Sequence, residues 1–179
     1  MSELIYQRYR EIVQGQMPVI GQVLKTDCFN ETVDDYRSLA GLFPPARTTY
    51  IEIDQETVDK AKARNRDLKA WQGDIRSLPF DNHSFSAVFD LSTIDHIPPS
   101  DLNKALAEYE RVLKLNGRLV LVSWCSTERR EEVVMWDTPQ YFMYEPDIME
   151  GLAHFKVYHR GVIHDSGENY LLEIFAAKS

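Results

Sequence analysis

The apolar patterning predicts an α/β fold built on a mostly parallel sheet, and three observations carry that reading. Residues 48–54 (TTYIEID), 68–74 (LKAWQGD) and 85–97 (FSAVFDLSTIDHI) are short apolar runs rich in β-branched and aromatic side chains. Helical patterns alternate with them, over 56–66 and again over 101–115, the latter leading through Asn116-Gly117 into a fourth strand at 118–124 (RLVLVSW). Each run ends in polar residues: Glu52 and Asp54, then Asp74, then the stretch from Asp90 to His96. In a parallel sheet, ligands lie across the carboxyl ends of the strands, so these residues mark the candidate site.

The remaining elements follow in order. Residues 3–14 place Leu4, Ile5, Tyr9, Ile12 and Val13 at helical spacing, which predicts an amphipathic helix ending near Gly15 and covering the sheet or one edge of a cleft. Residues 18–25 (PVIGQVLK) read as a first strand. Residues 26–43 read as a polar turn followed by a helix that stops at Pro44-Pro45, the turn being a candidate ligand loop. Asp54 is placed to cap the helix over 56–66. Residues 75–84 have loop chemistry. In the helix over 101–115, Leu102, Leu106, Tyr109, Val112 and Leu113 share one face, a core stripe. Between 126 and 144 the chain is first polar and then rich in large side chains, among them Met135, Trp136, Tyr141, Phe142, Met143 and Tyr144. They suit either a lid over an apolar acceptor or ordinary core packing, the commoner use. A short helix with Pro146 at its start precedes two strands, 154–164 and 169–178, joined by Asp165-Ser166-Gly167-Glu168. That terminal hairpin makes the sheet mixed.

At 179 residues the length predicts one domain, 1–179. The net charge of −8, from 28 acids against 20 Lys and Arg, repels phosphate, so nucleic acid and anionic membrane are not expected partners. Cys28 and Cys125 lie far apart with no metal-ligand spacing, and no metal is expected. They suit a reducing cytoplasm, and no signal or membrane-spanning segment is read in the chain.

From Tyr50 to Trp124 the chain resembles the class I S-adenosylmethionine (SAM)-dependent methyltransferases. The runs YIEIDQETVDKAKAR, WQGDIRSLPFDNHSFSAVFDLSTIDHI and LAEYERVLKLNGRLVLVSW are each similar to a successive motif of that family. The resemblance implies a Rossmann-like fold: a mostly parallel seven-stranded sheet, a C-terminal antiparallel hairpin and helices on both faces. It also implies SAM as cofactor, with Glu52 accepting from the ribose hydroxyls, Ile53 covering the adenine, and Asp74 with the backbone of Ile75 meeting the adenine edge. Leu91 and Ser92 would line the methionine end. For each polar residue a structural reading stands beside this one: Glu52 a strand-end acid, Asp74 the start of a turn, Ser92 a buried hydroxyl satisfied by backbone.

The glycine-rich turn usual after the first strand of this family is absent, and VLKTDCFNET stands in its place. This resembles a branch in which Lys25, Thr26 and Asp27 form the turn and Asp27 or Glu31 pairs with the cofactor's ammonium group. The alternative is a solvated loop capping the helix that follows. For catalysis Asp95 and His96 stand out, directly after the third run, with His96 as base and Asp95 orienting it, or else His96 shaping the loop before Pro98-Pro99. His83, His154, His159 and His164 read as solvated or structural. The expected function is methyl transfer to a small-molecule acceptor, with a homodimer as a way to build the site from two chains. A non-catalytic subunit of the same fold is the alternative, and a nicotinamide dehydrogenase fits less well without its glycine fingerprint.

Overall fold

The computed structural model describes residues 2–18, 20–130, 133–135, 138–165 and 167–179, with the backbone alone at 133–135 and 165. Trp136 and Ser166 therefore lie outside the described residues, as do the side chains of Met135 and Asp165.

In chain order the elements are α1 (Glu3–Gln16), β1 (Val23–Lys25), β2 (Thr48–Glu52), α2 (Gln55–Arg64), β3 (Lys69–Gln72), β4 (Phe85–Leu91), α3 (Leu102–Val112) and β5 (Leu113–Ser126). There follow β6 (Val133–Met135), β7 (Pro139–Tyr141), β8 (Met143–Tyr144), α4 (Glu145–Gly151), β9 (Phe155–Asp165) and β10 (Asn169–Lys178). The main sheet runs β3-β2-β1-β4-β5-β10-β9. Its first five strands are parallel, β10 is antiparallel to both β5 and β9, and the short β8 adds to the end of β5. The mostly parallel sheet with a C-terminal antiparallel hairpin is the expected one, with the short β8 as an eighth strand beyond the expected seven. Pairing reverses direction around β1, with β2 and β3 on one side and β4 and β5 on the other, so the carboxyl ends of β1, β2 and β4 open on a common crevice.

Strand alternation separates two cores. Tyr50, Ala87, Phe89, Val120, Val122, Leu171 and Phe175 face one side, where Ile5, Tyr9, Ile12 and Val13 of α1 and Val58 and Ala61 of α2 cover them. Ile51, Val88, Leu119, Leu121, Leu172 and Ile174 face the other, under Leu102, Leu106, Tyr109 and Val112 of α3 and Ile148 of α4. Because both faces are covered, the central strands read as nearly unbroken apolar runs.

Three expectations need correction. The first strand is only Val23–Lys25, not the whole of 18–25. Asn116 takes the left-handed φ of 60°, and β5 begins at Leu113, with a register shift before Arg118, so α3 stops at Val112 rather than 115. The helix expected before Pro44 does not form. Residues 29–31 make a single 3-10 turn and the chain then runs irregularly to β2. Side chains there hydrogen-bond the backbone in competition with a helix: Thr32 Oγ1 donates to Phe29 O (2.7 Å), Asn30 Nδ2 to Arg37 O (2.9 Å), and Asp35 Oδ1 accepts from Arg37 N (2.9 Å). Within this stretch Leu39 and Phe43 are deeply buried, four residues apart, too few anchors for a helical stripe.

Candidate active site

The first loop is organised around Lys25, whose side chain is wholly buried. Its Nζ donates to Asp27 O (3.1 Å) and lies 3.0 Å from Asp27 Oδ1 and 3.3 Å from Glu31 Oε2. The ammonium also sits 5.9 Å and 5.8 Å from the ring centroids of Phe43 and Tyr50. Burial alone would lower the Lys25 pKa, but the carboxylates of Asp27 and Glu31 outweigh it and hold it above the ordinary lysine range. An ion-paired knot thus fills the place where glycines would let a ligand approach the backbone. Three of the four residues expected to meet the cofactor here turn inward. Lys25 and Glu31 are committed to each other and buried, and the Glu31 carboxyl is pushed up by that burial, with Lys25 opposing. Thr26 is buried too, its hydroxyl 3.3 Å from Phe89 O and 2.8 Å from Thr93 Oγ1. Asp27 alone of the four stays partly open, at 17% side-chain exposure.

At the end of β2, Glu52 is half-buried and spans the crevice mouth. Its Oε2 accepts from Cys28 N (3.4 Å) and its Oε1 from Asp54 N (3.1 Å). Burial first, and then the charge of Asp27, raise its pKa, which shows how close the two acids lie. Ile53 beyond it is 61% exposed, an apolar side chain offered to whatever enters. Asp74 begins a turn, the structural reading of the two: Arg76 grips it, with Nε and Nη2 at 2.9 and 2.6 Å from the two oxygens and the backbone N–H at 2.8 Å. The guanidinium holds the Asp74 carboxyl below its usual range and extends to Asp101 (2.8 Å). The Ile75 and Leu91 side chains point into the two cores, leaving only their backbone for a ligand.

After β4 the chain turns sharply. Ser92 takes φ 65°, a strained conformation for a residue with a Cβ, and its hydroxyl hydrogen-bonds the Tyr9 hydroxyl (2.7 Å). Asp90, fully buried, accepts from Thr93 N (2.8 Å), Ile94 N (3.2 Å) and Tyr109 Oη (2.6 Å), and burial pushes its carboxyl up to about 7. The turn so held presents Asp95 and His96 in opposite senses. Asp95 is fully buried and accepts from Gln140 Nε2 (2.8 Å). His96 is exposed, with Nδ1 2.7 Å from Pro139 O. A carbonyl only accepts, so Nδ1 carries a proton and Nε2 is the position left for the lone pair of the neutral ring. The expectation that Asp95 orients His96 is thus corrected: the β7 backbone orients it, while Asp95 anchors Gln140 on the same strand. Asp90 and Thr93 were read in the sequence only as part of the polar strand end, with no role of their own; Tyr9 and Tyr109 read there only as apolar helix stripe, and Pro139 and Gln140 carried no signal at all.

Of the aromatic segment, Trp124 packs edge-on to Phe142 and His164, and Met143 is buried in the core. The ribbon of β6 and β7 contacts the 3-10 turn at Ile94–His96. Among the described residues no cluster of His, Cys, Asp or Glu is placed to hold a metal ion. No helix among them is long and apolar enough to cross a membrane.

Residues 33–121, from the irregular segment before β2 to the middle of β5, match the family described as Methyltransferase domain. This match, together with the fold, supports a class I SAM-dependent methyltransferase. The match begins just after the Lys25 knot, the part of this methyltransferase that departs from the common pattern. An uncharacterized 37.1 kDa protein of a Streptomyces fradiae transposon is 36% identical over 81 residues, 44% of this chain and 23% of that protein. The chain spans less than a third of the curated relatives it matches. Among solved structures, a geranyl diphosphate methyltransferase in complex with GPP and sinefungin superposes with a TM-score of 0.75 at 11% identity, covering 97% of this chain and 78% of that one. A SAM-dependent methyltransferase from Methanosarcina mazei gives 0.74 at 16%, covering 93% and 96%. The residues of this methyltransferase fit the family's cofactor at three points: the half-buried Glu52, the exposed Ile53 and the partly open Asp27 all border the crevice.

Proposed function

We propose that this methyltransferase is active and transfers the methyl group of SAM to a small-molecule acceptor. The observation that carries the reading is the grouping of Glu52, Ile53 and Asp27 at one side of the crevice, with His96 at the end of the neighbouring β4 and no hydrogen bond to its Nε2 among the described residues. When bound, SAM supplies a methyl group activated by a positive sulfur. Glu52 accepts from vicinal ribose hydroxyls, since two carboxylate oxygens match two adjacent donors. Ile53 shields the adenine face. Asp27, with Lys25 behind it, pairs with the ammonium group. Leu91 and Ser92 contribute backbone groups at the methionine end, and Ile75 does so near the adenine, with Asp74 held back by Arg76.

In-line transfer requires mainly alignment and exclusion of water. His96 accepts the proton where the acceptor must lose one, its ring held by Pro139 O. Asp95 is a positioning residue that fixes β7 through Gln140. The neighbour whose name specifies geranyl diphosphate supports a small organic acceptor by analogy of fold. With Cys28 and Cys125 both buried free thiols, a reducing compartment suits the protein. The negative net charge argues against a nucleic-acid acceptor.

Calorimetric titration with SAM and its demethylated product tests this. We expect micromolar binding, about −8 kcal/mol, weakened at least about tenfold in Glu52→Ala. With an acceptor found by screening, His96→Ala should lower turnover while leaving SAM affinity unchanged. Absence of binding to the folded protein would overturn the reading in favour of a non-catalytic subunit.

A further inference from the structure

The irregular segment that replaces the expected helix arches away from β2 and leaves a cavity of about 390 Å³ between itself, β2 and the end of α2. Its walls are Val33, Ala40, Phe43, Tyr50 and Leu68, apolar and in part aromatic, with Glu31 among them. The Arg64–Asp34 ion pair stands at the exposed rim, joining α2 to the arch. The cavity lies beside the crevice without being part of it: Glu52, Ile53, Ser92 and His96 do not line it.

Glu31 makes this cavity more than a packing gap. Its side chain is only 3% exposed and its Oε2 is engaged by Lys25, yet Oε1 is buried with no hydrogen-bond partner among the described residues. A buried acceptor left unpaired costs about 1–3 kcal/mol, so a ligand donor reaching it recovers that cost. Charge decides the kind of donor. Glu31 shares Lys25 with Asp27, and Asp34 pairs with Arg64, so each lining carboxylate already holds a cation and an entering cation would meet two positive groups. A flat, neutral molecule with one N–H matches the ring walls, the lining carboxylates already paired and the orphan Oε1, and the volume falls within the range of small-molecule sites.

We propose that this cavity is a second small-molecule site, binding a neutral heteroaromatic compound that donates an N–H to Glu31. It meets the crevice at one charge, because Lys25 is shared between Glu31 and Asp27.

Indole and N-methylindole have nearly the same shape and differ in the donor, which makes them suitable probes. Amide chemical shifts of the 15N-labelled protein, recorded without SAM, report where each binds. Indole should shift the amides of Val33, Ala40 and Leu68 saturably, and N-methylindole should bind at least about tenfold more weakly. Ala40→Trp, which fills the cavity from its exposed wall, should abolish the indole shifts while the amides of β4 and β5 keep their positions. Equal affinity for the two probes, no shifts up to the solubility limit, shifts centred on Glu52 and Ile53, or shifts that survive Ala40→Trp would each overturn the proposal. None of these readouts depends on methyl transfer, so the site and the enzyme reading stand or fall separately.

Discussion

Asp90 shows how a buried acid shapes the active-site turn and what that costs. Three donors converge on it from Thr93, Ile94 and Tyr109, and they set the path that carries His96 to the crevice. Desolvation nevertheless raises its pKa from 3.8 to about 7. A carboxyl whose folded pKa lies above its unfolded value adds stability that is complete below about pH 4 and is lost as pH rises through about 7. Between pH 5 and pH 8 the wild type should therefore lose stability, and Asp90→Asn should flatten that loss by at least about 1 kcal/mol, read from urea unfolding at the two pH values. Asp95 and Glu31, also raised by burial, act in the same direction and leave a residual slope in the variant. Tyr9→Phe is a second test on the scale of one group: removing its hydroxyl strips Ser92 Oγ of its partner on α1 and should cost about 1 kcal/mol.

Among the elements, α2 is held at its start by Asp54, whose carboxylate accepts from Glu56 N (3.4 Å) and Thr57 N (2.9 Å). Asp54→Ala leaves those N–H groups to water and should lower the melting temperature by about 2–4 °C, while the neighbouring Glu52 keeps its place at the strand end. The ribbon of β6 and β7 depends on fewer contacts. Gln140 satisfies one oxygen of the buried Asp95, and Pro139 O holds His96. Gln140→Ala strands the Asp95 carboxyl and should cost about 1–3 kcal/mol. It should also raise the acceptor KM with SAM affinity unchanged, since the ribbon meets the turn of His96 rather than the Glu52 side of the crevice. A merely structural role would move stability alone.

For the molecule as a whole, the helix that opens the chain closes the fold. Arg8 Nε and Nη2 reach Glu173 on β10 at 3.1 and 2.9 Å, across 165 residues of sequence. Glu173 also pairs with His159 Nε2 (2.5 Å), whose ring stacks on Phe175. Around that link Ile5, Tyr6, Tyr9, Ile12 and Val13 are buried against the sheet. Burying five such side chains contributes on the order of 10 kcal/mol, as much as a typical domain's entire stability. A chain lacking residues 2–16 should therefore show no cooperative thermal transition by circular dichroism, and Arg8→Ala alone should destabilise it measurably.

The strand and helix runs, the Asp54 cap and the terminal hairpin were legible in the sequence because each rests on local periodicity or on a residue acting within one turn. Glu52, Ile53 and His96 could be placed at strand ends for the same reason. What a polar side chain does when several partners compete for it was not legible. Lys25 finds Glu31 rather than a ligand because β1 and the following turn bury both and leave no water to separate them. Asp95 turns to Gln140 because packing brings that donor nearer than the expected one, whereas Asp74 turns to Arg76 within a single local turn. The failed helix before Pro44 belongs with them, since its fate depended on how little apolar surface it could bury. The sequence alone determined which elements exist and in what order they line the sheet. The tertiary structure decided which charges meet, because desolvation and distance arise only once the layers are packed.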